Sequence, residues 1–406
     1  MLSRARTIYL ISPQRWDAPP VSKHHYARRL AAHGHRVYFI EPPRRDVRGI
    51  TLTPGPHPGL TRVTYATLTP YRLKFHARPL FDALMRLEAR RLRRAIGVAP
   101  DIVWDFDNAY QFASLAPFGA RLAVFHPVDD LPPGRRGTKG AHLVLANAPR
   151  YLARLRLAAS RAPAAARAPA HAVIPHGLAE PFIARAKAVC DDPAAAGHPV
   201  PDGERPPVVA MVGNLARPGI DWAAIDAMAR RLPATRFVMV GPHGGDATTG
   251  AGAGAGPPDA VRARPNVVFA GAMSSAAILH LARRVDVWLM AYDGTRDRDG
   301  ATNPHKLLEY LATGKAVVSN WVEAYAGRDL VAMPPTLDNT PLPDLLAATL
   351  GRLAVVDAPA ERIRRAAFTL SFSYDAHLAR IGRLMAEACP RDEARSAIGG
   401  VVSERS

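Results

Sequence analysis

The apolar positions of this chain fall into short blocks, and stretches of helical periodicity separate them. The run TIYLIS from Thr7 is apolar and β-prone. From Ser22 to His33 the period is helical, with Ser22 as the expected cap and Gly34 as the stop. RVYFIEP from Arg36 then predicts a second strand. Strand, helix and strand with short connections predict a parallel βαβ unit with a right-handed crossover. Further strands are predicted at RVTYATL from Arg62, DIVWDF from Asp101, RLAVFH from Arg121, HLVLANA from His142 and HAVIPHG from His171. Between Cys190 and Pro207 the chain becomes DDPAAAGHPVPDGERPP, the composition of a linker. A second alternating series follows: VVAMVGNL from Val208, a helix from Asp221 to Leu232, FVMVGP, NVVFAG from Asn266, a helix from Ser275, VDVWLMA from Val285, and Val317 to Asn320. The low-complexity run GGDATTGAGAGAGPP from Gly244 predicts a flexible loop.

The pattern predicts two doubly wound α/β domains, residues 1–187 and 207–367, joined by a linker at 188–206. A Ser-capped amphipathic helix over 368–390 and a tail over 391–406 complete the chain. Ligands of such sheets bind at the carboxyl ends of the strands, so the predicted site is an interdomain cleft.

At 406 residues the chain is too long for one small core, which agrees with two domains. Hydrophobic residues at 48% and charged residues at 22% are those of a globular protein. No apolar stretch of about 18 residues predicts a transmembrane helix. The apolar run near the N-terminus is too short for a secretory signal, so a cytoplasmic location is expected. Cys190 and Cys389 lie far apart and form neither a disulfide framework nor a metal cluster.

The net charge of +18 comes mostly from arginine and favours anionic partners. The same balance arises in a GC-rich genome without any such partner. No zinc-finger spacing or aromatic-basic RNA motif is present, so nucleic acid is not an expected partner. The segment from Arg72 to Arg94 interleaves arginines with Leu73, Phe75, Leu80, Phe81, Leu84, Met85 and Leu87. As a helix it would lie on an anionic membrane face, or dock on its own sheet with a solvated arginine face.

NPHKLLEYLATGKAVVS, from Asn303, carries the most chemistry. It predicts a short helix capped by Asn303, with Pro304 in the first position and Gly314 at the left-handed stop. Leu307, Leu308 and Leu311 share one face, while Lys306 and Glu309 lie one turn apart. Free amides and the positive dipole end near Thr302, Asn303 and His305 suit a diphosphate. A carboxylate one turn further in suits two ribose hydroxyls. A surface helix with a solvated Lys–Glu pair is the alternative.

Several segments, in the same order, are similar to the GT-B glycosyltransferases of the family-four type. They resemble in particular the branch that makes bacterial surface polysaccharides, teichuronic-acid enzymes included. ISPQRWDAPPVSKHHYARRLAAHGHRVYFIEPP resembles that branch's opening segment, and VLANAPRYLARL resembles its late N-domain helix entry. VIPHGLAEPF resembles its "IPNGVD…F" end of the N domain. VGNLARPGIDWAAI resembles its first C-domain turn, and NVVFAGAMSSAAILHLARRVDVWLMAY its base-holding segment. NPHKLLEYLATGKAVVS is the most specific match.

The resemblance implies a fold of two facing Rossmann-like domains and a final helix that crosses back to the N domain. It implies a nucleotide-sugar as co-substrate and a lipid-linked or glycan acceptor in polysaccharide biosynthesis. Transfer would be retaining, with no metal or other cofactor, and peripheral contact with the cytoplasmic membrane face would follow. Carried onto this chain, the donor residues are Asn214, Arg217, Gly271, Met273, Thr302, Asn303, His305, Lys306 and Glu309. His126 and Asp129 are the catalytic candidates, and Trp16, Lys23 and His24 lie on the acceptor side.

The chain also departs from the pattern. Many relatives carry two glutamates with seven residues between them; here the second is Glu309 and the first position is Ala301. Relatives carry a Lys near the residue matched by Arg217, and here none follows; Lys306 is the expected replacement. Without a metal, Arg217, Lys306 and helix amides would stabilise the leaving diphosphate, the arginine through its planar fork. DRD at Asp297 and DFD at Asp105 are read as structural. A non-catalytic nucleotide-sugar-binding scaffold, kept open by Ala301, and a nucleotide-sugar epimerase are the alternative readings.

Overall fold

The computed structural model describes residues 2–128, 138–159, 169–197, 205–243, 256–297 and 303–389. The chain divides into two compact units. The first comprises residues 1–175 and 374–406, and the second residues 176–373.

The first unit holds the strands β1 (Thr7–Ile11), β2 (Arg36–Ile40), β3 (Ile50–Pro54), β4 (Leu60–Tyr65), β5 (Ile102–Asp105), β6 (Leu122–Phe125), β7 (Leu143–Ala146) and β8 (Ala170–Val173). Its helices are α1 (Ser22–Ala32), α2 (Leu73–His76), α3 (Arg78–Ile96) and α4 (Pro149–Ala159). The sheet order is β3-β4-β2-β1-β5-β6-β7-β8. All neighbours are parallel except β3, which pairs antiparallel with β4. Sequence pattern does not predict β3: its Ile-Thr-Leu-Thr alternation is short, ends in Pro54 beside a Gly/Pro-rich run, and leaves four of its five residues exposed. β1 and β2 are apolar runs buried on both faces, as central parallel strands require.

The segment expected as one helix from Arg72 is broken at Ala77, whose backbone leaves the helical region (φ −143°, ψ 62°). Pro79, which cannot donate to a preceding turn, starts α3 afresh.

The second unit holds α5 (Glu180–Asp191), α6 (Trp222–Arg231), α7 (Asp259–Arg262), α8 (Ser275–Ala282), α9 (His305–Ala312), α10 (Leu342–Gly351), α11 (Leu353–Val356) and α12 (Pro359–Leu370). These surround the strands β9 (Val208–Val212), β10 (Arg236–Val240), β11 (Val267–Phe269), β12 (Val287–Met290) and β13 (Ala316–Ser319). The sheet is parallel throughout, in the order β11-β10-β9-β12-β13. α5 lies on residues the sequence pattern assigns to the first domain and its linker. It buries Phe182, Ile183, Ala186 and Val189 in the second core and packs on α12 and α9. The chain changes unit inside an apolar stretch at Pro175, upstream of the Pro-rich run that composition picks out.

The last helix, α13 (Tyr374–Ala388), is part of the first unit, where it packs on α1, β7 and β8. Tyr374, Leu378, Ile381 and Met385 join the first core from one face. Phe368 to Leu370, expected in this helix, end α12 instead, and residues 371–373 separate the two.

Candidate functional site

In the second unit every strand runs the same way, so the segments after β9, β10, β11 and β12 emerge at one edge. The crossovers reverse direction between β9 and β12, which makes the loop after β9 the topological switch point. This edge is built tightly. The Gly213 amide donates to Val240 O at 2.9 Å and the Gly241 amide to Gly271 O at 2.8 Å. Gly241 has φ +142°, and a Cβ there would overlap the Gly213 carbonyl oxygen, so only glycine fits.

After β9, Asn214 Oδ1 accepts from the Ala216 amide at 3.1 Å and folds the loop that presents Arg217. The Arg217 guanidinium forms a two-pronged pair with Asp297: Nε to Oδ2 is 2.6 Å and Nη2 to Oδ1 is 2.9 Å. It also sits over the Tyr292 ring, 5.5 Å from its centroid. After β11, Gly271 takes a left-handed φ of +68°, and Met273, half-buried, precedes Ser274, which caps α8 through the Ala277 amide.

α9 is fixed from below. The Tyr310 hydroxyl accepts from the Val212 amide at 2.7 Å and donates to its carbonyl at 3.1 Å, while its ring stacks on Trp288 at 4.6 Å. The cap position is Pro304, not Asn303, and no side chain caps the helix. Pro304 has an extended backbone and His305 is the first helical residue, one position later than the sequence predicts. Gly314 takes the left-handed stop at φ +78°.

At the start of α9, Glu309 is 6% exposed, accepts a hydrogen bond from Lys306 and lies beside His305. Lys306 Nζ lies 2.7 Å from its Oε2, and His305 Nδ1 lies 3.5 Å from its Oε1. Burial pushes the His305 pKa below its ordinary value; Glu309 opposes that push and Lys306 adds to it. The His305 side chain is still 38% exposed, so solvent screens part of the effect. The first amides of a helix have no partner within it. This edge therefore presents two cations, helix amides and a half-engaged carboxylate. Thr302 and Ala301 lie outside the described residues.

In the first unit, His126 ends β6 and its amide donates to Asp105 O at 2.8 Å. Its ring is buried among Tyr26, Trp104 and Phe106. Asp129 lies outside the described residues. Lys23 is buried on α1. Trp16 packs edge-on against Phe39, at 4.9 Å, and beside His24. Both His24 nitrogens serve the loop: Nδ1 accepts from the Val21 amide at 3.2 Å and Nε2 lies 3.0 Å from Arg15 O. Burial holds the His24 pKa below its ordinary value. Trp16 and His24 thus shape the loop after β1 from inside.

Sequence reasoning does not single out Lys139. Its buried Nζ donates to Asp105 Oδ2 at 2.7 Å and to Asp107 O at 2.6 Å, with the rings of Tyr110 and Phe125 within 4.7 Å. Tyr110 and Lys139 both take left-handed backbone angles, φ 55°. Burial raises the Asp105 pKa to about 6, against the pull of Lys139. The DFD run is thus the anionic half of a buried ion cluster. Among the described residues no group of three or more His, Cys, Asp or Glu side chains could hold a metal.

Two Rossmann-like α/β units of this kind define the GT-B fold. No protein-family model and no curated protein sequence matches the chain. Solved structures do. A UDP-forming α,α-trehalose-phosphate synthase from Burkholderia xenovorans superposes with a TM-score of 0.63 at 12% identity, over 96% of this chain and 100% of that one. Sucrose-phosphate synthase from Thermosynechococcus elongatus gives 0.60 at 15% identity, over 94% and 98%. Anabaena Alr3699/HepE, solved with UDP and glucose, gives 0.55 at 17% identity, over 94% and 100%. At these identities the likeness establishes the fold.

Proposed function

We propose that the chain is a glycosyltransferase that moves a sugar from a nucleoside-diphosphate sugar to an acceptor hydroxyl. The observation that carries this reading is the edge of the second sheet, where Lys306, His305 and Glu309 open α9 and Arg217 stands at the switch point. The diphosphate lies against Arg217, Lys306 and the first amides of α9. Glu309 accepts from ribose hydroxyls once Lys306 turns to phosphate. Asn214, Gly271, Met273, Thr302 and Asn303 complete the donor site. As the sugar leaves, these cations and amides take up the charge growing on the diphosphate, which is metal-independent assistance. UDP is the first donor to test, because Alr3699/HepE was solved with UDP and glucose.

The finer reading is retaining transfer to a lipid-linked or glycan acceptor in surface polysaccharide assembly, at the membrane face. His126 and Asp129 act near the transferred sugar, and Trp16, Lys23 and His24 support the acceptor side from beneath, through the loop after β1 and the start of α1. The membrane reading is supported by the exposed apolar and basic face of α2 and α3. A panel of nucleoside-diphosphate sugars that begins with UDP-sugars, read first by calorimetry and then by release of the nucleoside diphosphate with and without acceptor, tests the proposal. Binding without turnover favours a non-catalytic scaffold, for which Ala301 is the motive. No binding to any nucleotide-sugar overturns both.

A further inference from the structure

The first unit contains a second feature built for a ligand, a cavity of about 320 Å³ at the carboxyl ends of β1, β2, β4 and β5. It lies beside that sheet's own switch point, between β1 and β5. Ile11, Pro13, Pro42, Pro43, Tyr71 and Phe112 give it apolar walls. Among its polar lining residues, Glu41 at the end of β2 stands apart. Its residue exposure is 1%. Its Oε1 is engaged, by the Trp16 amide at 3.3 Å and by Arg62 Nε at 3.2 Å. Its Oε2 is buried with no hydrogen-bond partner among the described residues. A carboxylate oxygen kept from water and left unpaired is costly, and natural proteins satisfy such atoms. Asp107, which also lines the cavity, is by contrast satisfied by the amides of Ala109 and Gln111.

We infer that this cavity binds a neutral ring carrying several hydroxyl groups, a pyranoside or cyclic polyol, with one hydroxyl donating to Glu41 Oε2. The walls select this class. A carboxylate acceptor excludes an anionic group at the inner end, while Arg44 and Arg45 on the lining disfavour a cationic ligand. A hydroxylated ring offers donors for Glu41 and C–H faces for the prolines, Tyr71 and Phe112. The volume lies at the lower end of small-ligand pockets, about 300–1,000 Å³. The ring's role as sugar acceptor rests on the transferase reading; its binding does not.

The test uses the full chain and a panel of methyl hexopyranosides (gluco, galacto, manno and N-acetylglucosamine forms), read by saturation-transfer NMR. At least one should bind, and Glu41→Gln should weaken it tenfold or more. Ala109→Trp, a substitution at an exposed lining residue that leaves Glu41 and its partners in place, should do the same by filling the cavity. Circular dichroism melting identifies which variants are folded. No binding by any glycoside, or undiminished binding in a folded variant, overturns the inference. UDP-sugar binding by the wild-type chain is measured separately and decides the donor reading alone.

Discussion

Glu309 accepts from Lys306 and has His305 alongside, so its charge is held in place before any ligand arrives. Glu309→Ala should weaken nucleotide-sugar binding by roughly 1–3 kcal/mol, the cost of losing a charged acceptor. Unchanged donor affinity by calorimetry, in a folded variant, would remove Glu309 from the site. Asp297 bears on Arg217 in the opposite sense. Its carboxylate occupies the fork that a diphosphate would use and adds a negative charge beside it. Asp297→Asn should therefore tighten UDP binding by about 0.2–1 kcal/mol, the scale of a solvent-accessible pair; weaker binding would show that Asp297 supports the site. Spacing alone brings Lys306 and Glu309 together, because a helix repeats locally. No pattern in the sequence joins Arg217 to Asp297, which are 80 residues apart in two loops, or Lys139 to Asp105. Such pairs exist only once the strands are ordered.

At the scale of elements, buried parallel strands and helices were legible because their apolar runs and glycine stops are local. The caps of α1 and α9 were not: Val21, not Ser22, precedes α1, and Pro304, not Asn303, precedes α9, with no side-chain cap bond from either. β3 was not legible either, since its alternation spans only four residues and runs into Pro54 and a Gly/Pro-rich turn that read as loop. The break between α12 and α13 was also hidden, because both helices are amphipathic and only three residues separate them. α13 carries two predictions. It buries Leu378, Ile381 and Met385 almost completely. At about 1.5–3 kcal/mol for each side chain, their loss is comparable to the whole stability of a domain. Deleting residues from Tyr374 onward should unfold the first unit. A truncated chain with an unchanged melting temperature would show the helix to be dispensable. α13 also buries His377, whose Nδ1 lies 3.2 Å from the Tyr26 hydroxyl. Burial, with help from Arg380, lowers its pKa to about 4. A histidine lowered on folding contributes stability that is complete above about 6.5 and is lost as pH falls toward 4. His377→Asn should shrink the stability gained between pH 5 and pH 7.5 by of order 1–3 kcal/mol in urea titrations. Asp105, raised to about 6, acts with the opposite sign, since its contribution is lost as pH rises from 4 through 6. An unaltered pH profile in the His377 variant would show that the histidine is not held neutral.

At the scale of the molecule, two α/β domains could be read from alternation and length. Their boundary could not, because the chain crosses from one core to the other within apolar sequence. The excess of arginine gained meaning only from where it sits. Seven large apolar side chains are notably exposed among the described residues, and five of them, Leu68, Tyr71, Phe75, Leu80 and Leu87, fall in one short stretch. On α3, Leu80 and Leu87 lie two turns apart and share their face with the exposed Arg90 and Arg94. Apolar side chains at one level with arginines beside them suit the boundary of an anionic bilayer, where each basic residue adds about 1 kcal/mol. No described helix is long and apolar enough to cross a membrane, so contact through this face would be peripheral. The full chain should co-sediment with phosphatidylglycerol vesicles and much less with phosphatidylcholine vesicles, and salt should weaken the association. Replacing Phe75, Leu80 and Leu87 together by serine should reduce partitioning at least tenfold, since each removed side chain forfeits about 1.5–3 kcal/mol of potential burial. Because all three are exposed, the variant should keep its melting temperature. Vesicle binding that survives the triple substitution would place the membrane contact elsewhere on the basic surface. No binding to anionic vesicles at low salt would leave the apolar face for a protein partner.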